Sequence, residues 1–138
     1  SARAFRLGVR PDELERQVDA LRDTISVMED GQLLTYPFDV ELAHKLYGEL
    51  FQPVSAELAG VSHLIFEPDG AMLRLPPNLL VMDRAGVDAY LARASRPEND
   101  GFDFTGIEWL GRDRNVSTAV SRTRRPRAWC APQACSGA

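Results

Sequence analysis

Residues 61–66, VSHLIF, constrain the fold more than any other stretch of this chain. Gly60 precedes this short, nearly continuous apolar run and Pro68-Asp69-Gly70 closes it. A strand of that kind suits a parallel or mixed sheet covered on both faces, because a half-exposed strand would alternate apolar with polar residues. Parallel pairing needs long crossovers, usually helical. The expected fold class is therefore α/β, a small mixed sheet packed by two or three helices.

Helical periodicity supplies the packing elements. Pro11 fits a first helical position, where its missing N–H does no harm, and Asp12 and Glu13 follow where the helix dipole favours acids. Leu14, Val18, Leu21, Ile25 and Met28 then form a narrow apolar stripe, predicted to run to Glu29-Asp30-Gly31. Two heptads are short for a coiled coil, so packing within the domain is expected. Asp39 is a good N-cap for a second helix, whose apolar face is Val40, Ala43, Leu46, Tyr47, Leu50 and Phe51. Pro53 should end that helix near Gln52. Ser55 opens a further turn through Leu58, with Gly60 at a left-handed terminus.

The remaining segments read less sharply. Phe5, Leu7 and Val9 alternate with Arg6, Gly8 and Arg10, the period of a strand with one buried face. In Pro68-Asp69-Gly70 the proline presets φ, the aspartate accepts backbone hydrogen bonds and the glycine tolerates positive φ. It is predicted as a hairpin turn, with residues 72–75 as the returning arm. Residues 78–83 fit a helix or a strand, 86–94 a weak helix and 95–105 a loop. Residues 107–110 and 116–120 look like the last ordered pieces, the latter β-branched enough for a strand.

At 138 residues the chain is long enough for one core, and its 44% hydrophobic and 26% charged composition is that of a globular protein. No apolar run approaches the roughly 20 residues of a membrane span, and no signal-peptide pattern is present. A cytoplasmic chain with no membrane contact is expected. Residues 1–111 carry a net charge of −9 and residues 112–138 one of +5. The basic tail admits a nucleic-acid contact, but Trp129 is its only aromatic and it contains no binding motif. No nucleic-acid partner is expected, and residues 122–138 read as a disordered or non-native tail beyond a patterned unit of residues 1–121.

Candidates for chemistry are few. Cys130 and Cys135 are spaced C-x4-C with no nearby histidine, which leaves a zinc site short of its four ligands. No metal or cofactor is expected, and the two cysteines read as free thiols. The chain has two histidines, His44 and His63, each read as structural or surface rather than as a general base. Glu67 and Asp69 flank Pro68, and Asp100 and Asp103 share a loop; both pairs read as solvated turns. No phosphate-binding glycine pattern occurs.

Residues 46–80, LYGELFQPVSAELAGVSHLIFEPDGAMLRLPPNLL, resemble the opening of a CHAT domain, a caspase-like domain often found after tetratricopeptide repeats in bacterial proteins. The residues that carry the resemblance are Leu46, Tyr47, Leu50 and Pro53, the strand Leu64-Ile65-Phe66, then Pro68, Asp69, Gly70, Met72, Arg74, Leu75 and Pro76. Pro77 departs from the pattern, where an aromatic is usual. Residues 115–121 are similar to the family's next strand. The resemblance implies an incomplete caspase-like three-layer fold. It also implies that activity, in members that have it, belongs to a His–Cys dyad downstream of the Leu-Pro motif. His44 and His63 precede that region and neither is followed by glycine; Cys130 and Cys135 come too early and lack a preceding apolar strand.

No catalytic residue is therefore assigned, and whether the chain is an enzyme stays open. The expectation is a non-catalytic N-terminal fragment of a CHAT-domain protein whose intact form is a cysteine peptidase. The first alternative is an inactive interaction or scaffold module, and a remote one is a small hydrolase using Glu67, Asp69 and His63. Expected partners are proteins: a second copy, since an incomplete sheet leaves a strand edge unpaired, or a tetratricopeptide-repeat region of the same protein.

Overall fold

A computed structural model describes residues 4–119. The expectations for Val120, the basic tail, Cys130 and Cys135 fall outside those residues. Helix α1 (Pro11–Asp23) starts on its proline as expected and buries Leu14, Val18 and Leu21, along with Gln17. Its stripe faces its own domain, but it stops short of the predicted end. Thr24 Oγ1 donates to the Leu21 carbonyl at 2.7 Å, and the chain then forms an antiparallel hairpin, β1 (Val27–Glu29) and β2 (Gln32–Leu34). Asp30 and Gly31 at its tip have φ of 49° and 79°, the pair of positive values that a tight two-residue hairpin turn requires. Ile25 and Met28 consequently leave the predicted stripe and stand 43% and 65% exposed.

Residues 4–10 alternate in burial, with Leu7 and Val9 half-buried against the core, yet they join no ladder and bend at Gly8 and Val9. The predicted first strand is thus corrected. Its side-chain pattern is real, but no neighbouring backbone among the described residues pairs with it.

Helix α2 (Val40–Leu50) follows the sequence closely. The Asp39 side chain accepts from the Leu42 N–H at 2.9 Å, satisfying one orphan donor of the first turn. Val40, Ala43, Leu46, Tyr47 and Leu50 are buried, with Phe51 beside them. Pro53 sits in a 3₁₀ turn (Gln52–Val54) that leads into the single turn α3 (Ser55–Leu58), and Gly60 takes φ of 79°.

Strand β3 (His63–Phe66) pairs in parallel with β4 (Asn115–Thr118), in the register His63↔Asn115 through Phe66↔Thr118. Two expectations change here. The segment after Pro68-Asp69-Gly70 is a 3₁₀ helix (Gly70–Arg74), so the motif is not a hairpin turn and residues 72–75 are not a returning arm. The sheet is also uncovered on one face among the described residues: Leu64 and Phe66 point to the core, whereas Ile65 is 65% exposed. The apolar run filled one face and left an isoleucine on the other.

The crossover between β3 and β4 holds a 3₁₀ turn (Pro77–Leu79) and helix α4 (Arg84–Ala94), capped by Asp83 through the Gly86 N–H. Residues 78–83 are resolved as a turn and a bridge. Val81 pairs antiparallel with Trp109, the Leu110 N–H donates to Leu80 at 2.8 Å and the Met82 N–H to Glu108 at 2.9 Å. One hydrophobic core joins α1, α2, α4 and both ends of the crossover. The architecture is α/β, as expected.

Candidate functional site

The Pro-Asp-Gly motif is the natural site to build, since it lies just beyond the carboxyl end of a parallel strand. Pro68 is buried while Glu67, Asp69 and Gly70 face solvent. Asp69 Oδ1 accepts from the Gly70 N–H at 2.7 Å, and its carbonyl accepts from Met72 N at 3.2 Å. Gly70 takes φ of 57°, which a side chain resists, so the glycine permits the entry into the 3₁₀ helix. The Asp69 carboxylate is thereby engaged in starting a helix, in the manner of a cap.

Arg74 and Leu75 then fasten this helix to the body. Arg74 pairs with Asp19 at 2.9 Å and Glu15 at 3.3 Å, both on α1, and its carbonyl accepts from Arg22 Nη1 at 3.1 Å. Leu75 is 4% exposed, and Pro77 is buried after it. Leu46 and Tyr47 are core residues, and Tyr47 stacks on Phe51, which in turn meets Phe66. Pro53 is exposed in its turn. The nine motif residues Leu46, Tyr47, Pro53, Pro68, Asp69, Gly70, Arg74, Leu75 and Pro76 thus lie along one path from α2 through β3 to the anchoring of α1.

Two clefts adjoin the motif. One of about 650 Å³ lies between residues 6–11, Leu14 and Asp69, Gly70 and Ala71. The other, about 410 Å³ and mostly apolar, lies between Phe5, Leu7, Phe51, Val54, Phe66 and Met72.

The histidines are placed apart from the carboxylates. His44 is half-buried, with Nδ1 3.0 Å from the Val81 carbonyl; since a carbonyl only accepts, Nδ1 holds the proton. His63 Nε2 lies 2.7 Å from Ser117 Oγ on the exposed face of the parallel ladder. With a rise of about 3.3 Å per residue, His63 stands roughly 13 Å along the strand from Glu67. The hydrolase set of His63, Glu67 and Asp69 is therefore not brought together. Asp100 and Asp103 cap turns: Asp100 accepts from Phe102 N at 3.0 Å and Asp103 from Thr105 N at 3.1 Å. Hydrogen bonds from the Thr105 side chain and backbone, with Arg93 adding a smaller attraction, hold the Asp103 carboxyl below its ordinary value. No group of three or more metal-ligating side chains occurs among the described residues, and no helix there is long and apolar enough to cross a membrane.

The His63–Ser117 pair is the contact that sequence reasoning missed. It exists because the register sets Ser117 two positions beyond the residue opposite His63, on the same face. Nothing in either local sequence fixes that register.

A family model of the CHAT domain matches residues 40–134 of the chain. Comparisons with curated proteins and with solved structures each return no match.

Proposed function

Because the chain belongs to the CHAT domain family, we propose that it is the non-catalytic front part of a CHAT domain whose intact form is a caspase-like cysteine peptidase. The observation that supports this most directly is what the motif residues do. Arg74 is spent on Asp19 and Glu15, Asp69 on the Gly70 N–H, and Leu46, Tyr47 and Leu75 on the core.

A cysteine peptidase needs a thiolate within hydrogen-bond reach of an imidazole that takes up its proton. Both cysteines of the chain lie at positions 130 and 135. His44 gives its Nδ1 proton to a backbone carbonyl, and His63 meets a serine hydroxyl. On this reading the present residues hold the sheet and the loop after β3, and the reacting pair comes from elsewhere in the intact domain. The setting is the cytoplasm. The partners are a second copy or a tetratricopeptide-repeat region of the same protein, met through the β3–β4 ladder, whose outer edges have no partner among the described residues, and its exposed Ile65.

The test is a peptidase assay with a fluorogenic peptide mixture, run on this chain and on a version extended through the next His-Gly and the next Cys-ended strand of its gene. Turnover is expected only from the extended version, and thiol alkylation should abolish it. Turnover by the present chain that disappears in His63→Ala or Cys130→Ala overturns the proposal. An extended gene lacking both residues would instead favour a scaffold domain that never cleaved peptides.

A further inference from the structure

The exposed face of the β3–β4 ladder holds a hydroxyl and an imidazole in contact. His63 Nε2 lies 2.7 Å from Ser117 Oγ, and neither side chain makes another hydrogen bond among the described residues. The parallel register sets Asn115 opposite His63 and Ser117 opposite Ile65, so all four share one face. All four are exposed, Ile65 by 65%. The packing of the domain does not require the pair, because both groups reach water and a hydrogen bond exchanged for water contributes little to stability. A neutral imidazole has one acceptor nitrogen, and a serine hydroxyl has one proton to give. With Nε2 as that acceptor, the hydroxyl proton points at the imidazole and the Oγ lone pairs stay open to an incoming group.

We propose that Ser117 is a nucleophile that accepts an acyl group from activated esters, those of phenols and thiols, with His63 as its base. Ser117 Oγ bonds to the carbonyl carbon of the ester as His63 Nε2 takes the hydroxyl proton. The tetrahedral intermediate then collapses: the bond from carbon to the leaving oxygen or sulfur breaks, and that atom departs with the electron pair. The imidazolium passes its proton to the leaving group or to water, which leaves O-acylated Ser117 and a neutral His63. The substrate class follows from the surroundings of the pair. Ile65, directly across from Ser117, offers an apolar footing to a short acyl or aryl group. An oxyanion hole is built from free N–H donors, and the edge of β4 that faces β3 spends its own on the ladder. The Asn115 N–H donates to the Ser62 carbonyl at 2.9 Å and the Ala119 N–H to the Phe66 carbonyl at 2.9 Å, with Ser117 midway between them in the same period of two. Without that stabilisation the acyl donor must itself carry a good leaving group, which an ester of a phenol or thiol has and a peptide amide lacks.

The experiment treats the full chain, its thiols first blocked with iodoacetamide, with p-nitrophenyl acetate. Release of p-nitrophenolate is followed by absorbance, and peptide mass mapping locates the acetyl group, which separates Ser117 from Lys45 and the amino terminus. Acetylation of Ser117 is expected, and Ser117→Ala should remove that share of the release. His63→Ala should slow acetylation at Ser117 by about 100-fold or more, and added imidazole should restore part of the rate. His63→Gln still offers Ser117 a hydrogen bond but no base, so it should be as slow as His63→Ala, a loss that a merely structural role would not produce. Both positions are exposed, so each variant should keep the melting temperature. The proposal is overturned if Ser117 carries no acetyl group, if His63→Gln reacts as fast as the unchanged chain, or if imidazole fails to rescue His63→Ala. Cleavage of a peptide amide that Ser117→Ala abolishes would overturn the substrate class.

Discussion

Single residues in this protein differ in whether their contact or their burial carries the energy. Arg74 makes two ion pairs, but it is 44% exposed and its partners are comparably open. Exposed pairs are worth about 0.2–1 kcal/mol each, so Arg74→Ala should cost about 1 kcal/mol and less at high salt. Leu75, one position on, is 4% exposed, and Leu75→Ala should cost about 2–5 kcal/mol whatever the salt. Denaturant melts at low and high ionic strength would separate the two. Tyr90 adds a polar case. Its hydroxyl donates to the Gly101 carbonyl at 2.7 Å while the ring stacks on Phe104. Burial, and then the Asp39 carboxylate, push its phenol above the ordinary value. The folded state therefore keeps the proton longer than the unfolded chain. Its contribution is complete below the unfolded pKa of about 10 and is lost as pH rises from there through the folded value. Tyr90→Phe should cost about 1–2 kcal/mol at neutral pH, by leaving the Gly101 carbonyl unpaired, and should flatten the alkaline fall in melting temperature.

Among the elements, α2 was legible because independent signals agreed on it: the Asp39 cap, the apolar face from Val40 to Leu50 and the stop at Pro53. The end of α1 was not, because two signals conflicted. Ile25 and Met28 fall at helical spacing, yet Asp30-Gly31 favours a hairpin, and the hairpin formed. Pro-Asp-Gly misled for a different reason. The same φ values and side-chain acceptor serve a hairpin turn or the start of a 3₁₀ helix. The choice falls to a distant element: the segment Gly70–Arg74 packs on α1, where Arg74 pairs with Asp19 and Glu15. Non-local pairing also hid the His63–Ser117 contact of the candidate site. Helix α4 shows how a neighbouring element overrides propensity. Replacing a helical glycine by alanine ordinarily stabilises a helix by about 1 kcal/mol. A Cβ on Gly86, however, would lie 2.7 Å from the Gly106 carbonyl oxygen, a backbone atom of the crossing loop. Gly86→Ala should therefore destabilise the protein by about 1–3 kcal/mol, and thermal melts of the pair would show the reversed sign.

At the scale of the whole molecule, the family match and the folding unit have different limits. The match begins at residue 40, but α1 lies upstream and sends Leu14, Val18 and Leu21, each no more than 8% exposed, into the same core as α2 and α4. Arg74, within the matched span, reaches back to Asp19 and Glu15 on that helix. At about 1.5–3 kcal/mol per fully buried aliphatic side chain, the three contribute roughly 5–9 kcal/mol of burial. A domain of this size is stable by only about 5–15 kcal/mol in total. Removing residues 1–39 should therefore leave a chain that does not fold cooperatively, even though every matched residue up to 134 is retained. Limited proteolysis and a far-ultraviolet melt would decide it. Rapid digestion with no sigmoidal transition is expected, whereas a resistant, cooperatively melting fragment would mean that the core closes without α1. Restoring residues 11–39 as a separate peptide should then recover protection, since the missing face of the core is an amphipathic helix with its own Pro11 start and acidic first turn.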